Sequence, residues 1–142
     1  MTARSKPNVL FYIIALVFLL WNLIGVGFFF TEMFAEDMIV AQMNEHQERI
    51  YENRPAWYMG NYALAVFAGL VACIAMLFKH RSAVLFAAIS FLAVLISTAF
   101  NFSVGAWEYV STADLVTFLL VPIMGFLLAL YTLYARKKGW LR

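Results

Sequence analysis

The sequence predicts an all-α fold, a four-helix transmembrane bundle with both termini on one side of the bilayer. Four apolar stretches are each about 20 residues long, the length that ~30 Å of hydrocarbon requires at ~1.5 Å per helical residue. All acidic residues fall within 31–56 and 103–114, whereas eight of the ten Lys and Arg fall in three other segments that alternate with these. With 65% hydrophobic and 13% charged residues, the chain is too apolar for a monomeric soluble surface. One bundle uses up residues 1–142 as a single integral-membrane domain, with the lipid bilayer as its first partner. The net charge of +2 arises from segregated patches of both signs and points to no nucleic-acid partner.

The first span covers 9–30. Arg4 and Lys6 precede it as they would a signal peptide, but the run is longer than the usual ~7–15 apolar residues and ends in Phe28, Phe29 and Phe30 where small residues would mark a cleavage site. The outer loop, 31–56, contains Ile39, Met43, His46 and Ile50 at spacings of four, three and four, which predicts an amphipathic helix between Glu36 and Glu52. Pro55 stops it. An apolar stripe needs only packing to explain it, so this helix is expected on the rim of the bundle or on the headgroups rather than as a lid over a cavity. The second span covers 57–78 and the third 83–104. Lys79, His80, Arg81 and Ser82 are the whole connection between them, which forces those two helices to be antiparallel neighbours. The fourth span covers 115–135.

Orientation follows from the basic residues near the helix ends. Arg4 and Lys6, Lys79 and Arg81, and Arg136, Lys137, Lys138 and Arg142 share one side, and positive charge is retained in the cytoplasm. The expected topology is therefore N-in and C-in, with 31–56 and 103–114 outside, in the periplasm of a Gram-negative cell. Trp57, Trp107, Trp140, Tyr58, Tyr109 and Tyr134 lie at the expected interfaces, as aromatic belts do.

The four spans contain no Asp, Glu, Lys, Arg or His. Ion-coupled transport usually relies on an intramembrane carboxylate, and none is present. Haem ligation needs facing His or Met ligands, but His46 and His80 belong to opposite sides of the membrane. Cys73 stands alone, so neither a disulfide nor a CxxC pair can form within the chain. No metal cluster, cofactor site or nucleophile and base pair can be assembled, and the expectation is no catalytic residue and no enzyme.

What remains is a set of neutral polar residues. Asn22 in the first span, Asn61 near the start of the second, Ser97, Thr98 and Asn101 near the end of the third and Pro122 in the fourth all fall in the outer half of the membrane. Asn61, Ala65, Ala68, Ala72 and Ala75 form one helical stripe, and Ala83, Ala87, Ser90, Ser97 and Asn101 another. Small residues let helices approach and Asn or Ser can bond across the seam, so one reading is packing alone. The other is a shallow pocket open to the outside, with Asn22, Asn61, Ser97, Asn101 and Pro122 as its candidate ligand residues. Pro122 would free the carbonyl one turn earlier, at Phe118.

Three segments carry a resemblance: Trp21-Asn22-Leu23-Ile24-Gly25-Val26, Tyr51-Glu52-Asn53-Arg54-Pro55-Ala56-Trp57, and Lys137-Lys138-Gly139-Trp140-Leu141, with Val121-Pro122-Ile123-Met124 in the fourth span. Together they resemble a family of small four-span bacterial inner-membrane proteins often labelled sugar transporters, a label without a residue-level mechanism. One departure is Ala68-Gly69, where the resemblance implies paired glycines. The functional expectation is an accessory or small-molecule-handling protein of the bacterial inner membrane, in a homo-oligomer or a larger membrane complex. The alternative is a transporter of a small neutral solute such as a sugar, working as an oligomer. A four-span membrane enzyme of the glutathione-transferase-like kind ranks third, since that family carries an Arg-rich first loop and this one is acidic.

Overall fold

The computed structural model describes residues 5–142. It is all-helical, and its elements are α1 (Val9–Phe34), α2 (Glu36–Val40), α3 (Glu45–Glu52), α4 (Trp57–Leu77), α5 (Ser82–Ser103), a 3-10 turn at Ala106–Tyr109 and α6 (Thr112–Lys137). Helices α1, α4, α5 and α6 are each long and apolar enough to cross a membrane, the build of a multi-pass membrane protein.

Local chemistry sets the ends of these helices. The Asn8 side chain accepts the Phe11 N–H at 3.0 Å and starts α1. The helix runs one turn beyond Phe30 before its last N–H bonds, that of Ala35, reach the Thr31 carbonyl at 2.8 Å. Ser111 caps α6 by accepting the Asp114 N–H at 3.1 Å, which starts that helix at Thr112 rather than Leu115. Arg136 and Lys137 sit in its last turn, where cations oppose the partial negative charge of the free carbonyls.

The amphipathic segment of the outer loop is divided. Asn44 accepts the Gln47 N–H at 2.9 Å while the Gln47 side chain accepts the Asn44 N–H at 3.0 Å, a reciprocal capping box. A capping residue has extended backbone, here φ −78° and ψ 168°, so a continuous helix from Glu36 to Glu52 cannot pass through it. The five-residue α2 and the amphipathic α3 result.

Packing follows chain order: α1 lies on α4, α4 on α5, and α5 on α6. The α4–α5 contact is the most extensive, because the buried small residues Ala65, Ala68, Gly69 and Ala72 of α4 meet Ala83, Ala87, Ser90 and Ala93 of α5. One core draws on all four long helices and includes Phe11, Phe18, Cys73, Met76, Ala87 and Leu128. Two further members, Trp140 and Leu141, are brought there by a reversal of the chain after α6. Gly139 takes φ 74°, the Trp140 N–H bonds the Ala135 carbonyl at 3.0 Å, and Arg142 exchanges backbone bonds with Lys79 and Arg81 at 2.7 and 2.8 Å.

This hook ties the C-terminus to the α4–α5 turn, and Ser5 Oγ donates to the Lys138 carbonyl. The described basic segments thus gather at one end of the bundle. The acidic loops meet at the other, where Asn44 Nδ2 donates to the Tyr109 carbonyl at 3.1 Å and Arg54 pairs with Glu32. Towards the acidic end a smaller buried cluster, Ala65, Ala93 and Val94, stands apart from this core. A cavity takes up the space beside them.

Candidate functional site

The cavity exists because α1 and α6 splay apart. At the basic end Phe11 and Phe18 of α1 meet the Tyr131 ring of α6, each with centroids 6.2 Å apart. Towards the acidic end each helix leans on a different neighbour. Phe29 of α1 stacks on Tyr62 of α4 at 5.5 Å, while Phe126 of α6 meets Phe91 of α5 at 5.8 Å. Gly125 assists the second contact, since a Cβ there would stand 3.3 Å from the Phe91 ring. The result is a space of about 500 Å³ lined by all four long helices, a volume within the range of ligand pockets.

Asn22 lines it from α1. Its Nδ2 donates to the Phe18 carbonyl at 2.8 Å and, more weakly, to Cys73 Sγ at 3.5 Å. Both bonds leave from Nδ2, so Oδ1 retains accepting capacity. Buried Ser90 of α5 lines it close to Asn22, its Oγ donating to the Ala65 carbonyl at 2.7 Å. Ser97, Thr98 and Asn101 continue the α5 wall, with Asn101 Nδ2 donating to the hydroxyl of buried Tyr58 at 3.0 Å. Among the described residues the only charged ones in the lining are Glu32 and Asp114, both at the acidic end. Ser111 Oγ donates to Asp114 Oδ2 at 2.7 Å.

The structure brings Asn22, Ser97 and Asn101 to one cavity but leaves Asn61 and Pro122 out of its lining. Asn61 Nδ2 donates instead to the Ala93 carbonyl at 2.8 Å and to Ser97 Oγ at 2.7 Å, which makes it a stitch between α4 and α5. Pro122 lies within α6, where its ring leaves the Phe118 carbonyl without a helical donor. Phe118 and Val121 line the cavity in its place.

From the sequence a lid ranked below a rim position for the outer helix, and the structure sets that helix over a second space. A second space of about 280 Å³ lies beneath α3, lined by Met43, Gln47 and Ile50, and it shares Tyr58, Asn101, Val110 and Phe118 with the main cavity. Helix α3 therefore crosses the acidic end of the bundle rather than only skirting its rim. His46 stacks on Tyr109 with centroids 4.5 Å apart, beside the Asn44 bond to the same residue. Arg54 fixes the other end: Nη1 lies 3.0 Å from Glu32 Oε2, and the guanidinium sits 4.5 and 4.3 Å from the Tyr51 and Tyr58 ring centroids. The two side chains are only 21% and 15% exposed, so they hold a largely desolvated pair. Burial, then the charges of Glu32 and Glu36, push the Tyr51 hydroxyl above its ordinary pKa and keep it neutral beside them. A signal was present in the sequence, since Arg49 and Arg54 are the only bases of an otherwise acidic loop.

Among the described residues no group of three His, Cys, Asp or Glu could hold a metal ion. The cavity offers amides and hydroxyls within an apolar and aromatic wall, and charge at one end only. That combination suits an uncharged hydrogen-bonding ligand. No protein-family model, curated protein or solved structure matches the chain.

Proposed function

We propose that this chain is a small-molecule-binding protein of the bacterial inner membrane, an accessory or carrier component without an enzymatic step. The observation that carries the proposal is the convergence of all four long helices on one cavity of about 500 Å³, roofed by α3. A bundle selected for packing alone would continue the small-residue seam of the closed half, because each void forfeits dispersion contacts. Positive charge at the basic end supports a cytoplasmic position for that end and an outer-side position for the cavity.

Transport of a neutral solute such as a sugar, by an oligomer, is the second reading. It is supported by the resemblance in the sequence and by Pro122, which weakens the hydrogen bonding of α6 beside the cavity. Binding ranks above it because Phe11, Phe18, Met76, Leu128 and Trp140 fill the basic half with packed side chains.

The test is thiol protection in lipid nanodiscs in a Cys73→Ser background. A cysteine replacing Thr98, in the cavity wall, should react with a small thiol reagent and be protected by at least one of glucose, glycerol or monooctanoylglycerol. A cysteine replacing fully buried Ala72 should stay silent. Reaction at residue 98 that none of the three probes slows, or silence there as complete as at residue 72, would overturn the proposal.

A further inference from the structure

We infer that the ligand reaches the cavity sideways from the bilayer, through the seam between α1 and α6, and that it is an amphiphile with an uncharged hydrogen-bonding head and a hydrocarbon tail. The inference rests on the binding function proposed above and names the ligand class and its route.

The first observation is the seam itself. Helices α1 and α6 converge on the Tyr131 cluster at the basic end and diverge beyond it, where each packs on a different partner. The cavity therefore lies between two helices that do not close on each other, and its lining includes Ile24, Phe28 and Val121, which are 57%, 59% and 38% exposed. The second is depth. Ile24 lies ten residues before the Phe34 end of α1, and Val121 nine residues after the Thr112 start of α6. At ~1.5 Å per residue both stand roughly 15 Å below the acidic ends of their helices, within the hydrocarbon and not at the headgroups. Exposed apolar side chains at that depth face acyl chains, so the gap they frame opens onto lipid.

The third observation is that α3 lies over part of the acidic end, above the second space. Helix α3 lies across the acidic end, held by Arg54 to Glu32, by His46 stacked on Tyr109 and by Asn44 bonded to the Tyr109 carbonyl. A free sugar would have to cross hydrocarbon to reach the seam, and stripping its hydroxyls of water costs several kcal/mol for each unpaired group. An amphiphile dissolved in the adjoining leaflet meets no such cost. Its head finds the Ser97 and Thr98 hydroxyls beside Asn22, and its tail lies between Ile24, Phe28 and Val121. The absence of charge at this depth in the cavity excludes ionic heads, which would need a counter-charge in a low-dielectric site.

A monoacylglycerol carrying a diazirine in its acyl chain tests this, with the protein in nanodiscs. Irradiation should give saturable labelling at residues 24, 28 and 121, competed by unlabelled monoacylglycerol and not by glycerol or glucose. Val121→Trp, which fills the seam and leaves α3 and its contacts in place, should reduce saturable labelling about tenfold, the loss of ~1.4 kcal/mol of binding. Ile24→Trp repeats the test from the other wall if the first variant is poorly folded. If glucose or glycerol protects the residue 98 cysteine and the lipid probe does not, the binding function stands and the lateral amphiphile falls. Unsaturable labelling spread evenly over the lipid-facing surface overturns the lateral route. Disulfide-linked dimers formed through a cysteine at residue 121, with labelling lost, make the seam a contact between two copies and overturn it as well.

Discussion

The side-chain carbonyl of Asn22 occupies the space that any side chain at residue 69 would need: a Cβ built on Gly69 collides with Asn22 Oδ1 and stands 3.0 Å from Ser90 Oγ. The paired glycines that the resemblance implied at 68 and 69 reduce to one, and that one carries the close approach of α1, α4 and α5. Gly69→Ala should destabilise the bundle by about 1–3 kcal/mol, the usual cost of overpacking, read as a lower thermal midpoint in detergent. Adding Asn22→Ala removes the colliding group, so the double variant should recover most of the loss. Additive effects would mean that Asn22 and Gly69 do not share this contact.

Asn61 acts differently from Asn22 although both are asparagines in the same half of the bundle. Its two bonds to the Ala93 carbonyl and Ser97 Oγ join α4 to α5. Asn61→Leu should cost about 0.6–2 kcal/mol in thermal stability, as an interhelical hydrogen bond in a membrane does. Ligand protection of a cysteine at residue 98 should remain intact. Loss of protection at unchanged stability would return Asn61 to the ligand site.

Arg54 holds the roof. Arg54→Gln strands Glu32 in a site where its side chain is 15% exposed, a cost of order 1 kcal/mol after allowing for the solvent that still reaches it. The residue 98 cysteine should then react several-fold faster with a membrane-impermeant thiol reagent. Glu32→Gln combined with Arg54→Gln should keep that acceleration while restoring stability, because no unpaired charge is left. An unchanged rate in both variants would show that the pair does not hold α3.

The spans were legible because hydropathy alone fixes where helices can cross, and the segregation of charge foretold which loops would meet at each end. The stripe of Asn61, Ala65, Ala68 and Ala72 also foretold a seam, and that seam is what Asn61 serves. The cavity was not legible in the same way. It depends on α1 and α6 diverging, a relation set by Phe29 on Tyr62 and Phe91 on Phe126, and nothing in either pair's sequence spacing announces the contact. Glu32 and Arg54 read as two loop charges until folding joins them. The break at Asn44 could have been read, since Asn44 and Gln47 stand three apart, but the apolar recurrence through Met43 masked it.

Lys79 carries a backbone strain that a glycine would relieve. It closes α4 at φ 59°, the left-handed conformation in which a Cβ costs about 1 kcal/mol, and it does so beside the His80 N–H bond to the Ala75 carbonyl at 2.8 Å. Lys79→Gly should therefore raise stability by about 0.5–1 kcal/mol, measured by thermal unfolding. Gly139→Ala is the reciprocal experiment, since φ 74° there turns Trp140 and Leu141 into the core. It should lower stability by about 1 kcal/mol or more and loosen the C-terminal hook.

The same lysine bears on topology. Lys79 and Arg81 lie in the α4–α5 turn against Arg142, so the basic segments act at one end of the bundle, and their combined charge predicts that this end is retained in the cytoplasm. A fluorescent reporter that matures only in the cytoplasm, fused after Arg142, should fluoresce. A phosphatase active only outside should work when inserted at 41–43, the break between α2 and α3, where it interrupts neither helix. Neutralising Lys79 and Arg81 together should leave both signals unchanged, because the C-terminal bases still act from the same end and the acidic loops contribute little to orientation. A dark first fusion with an active reporter of the opposite kind at the same site would invert the protein and place the cavity on the cytoplasmic side.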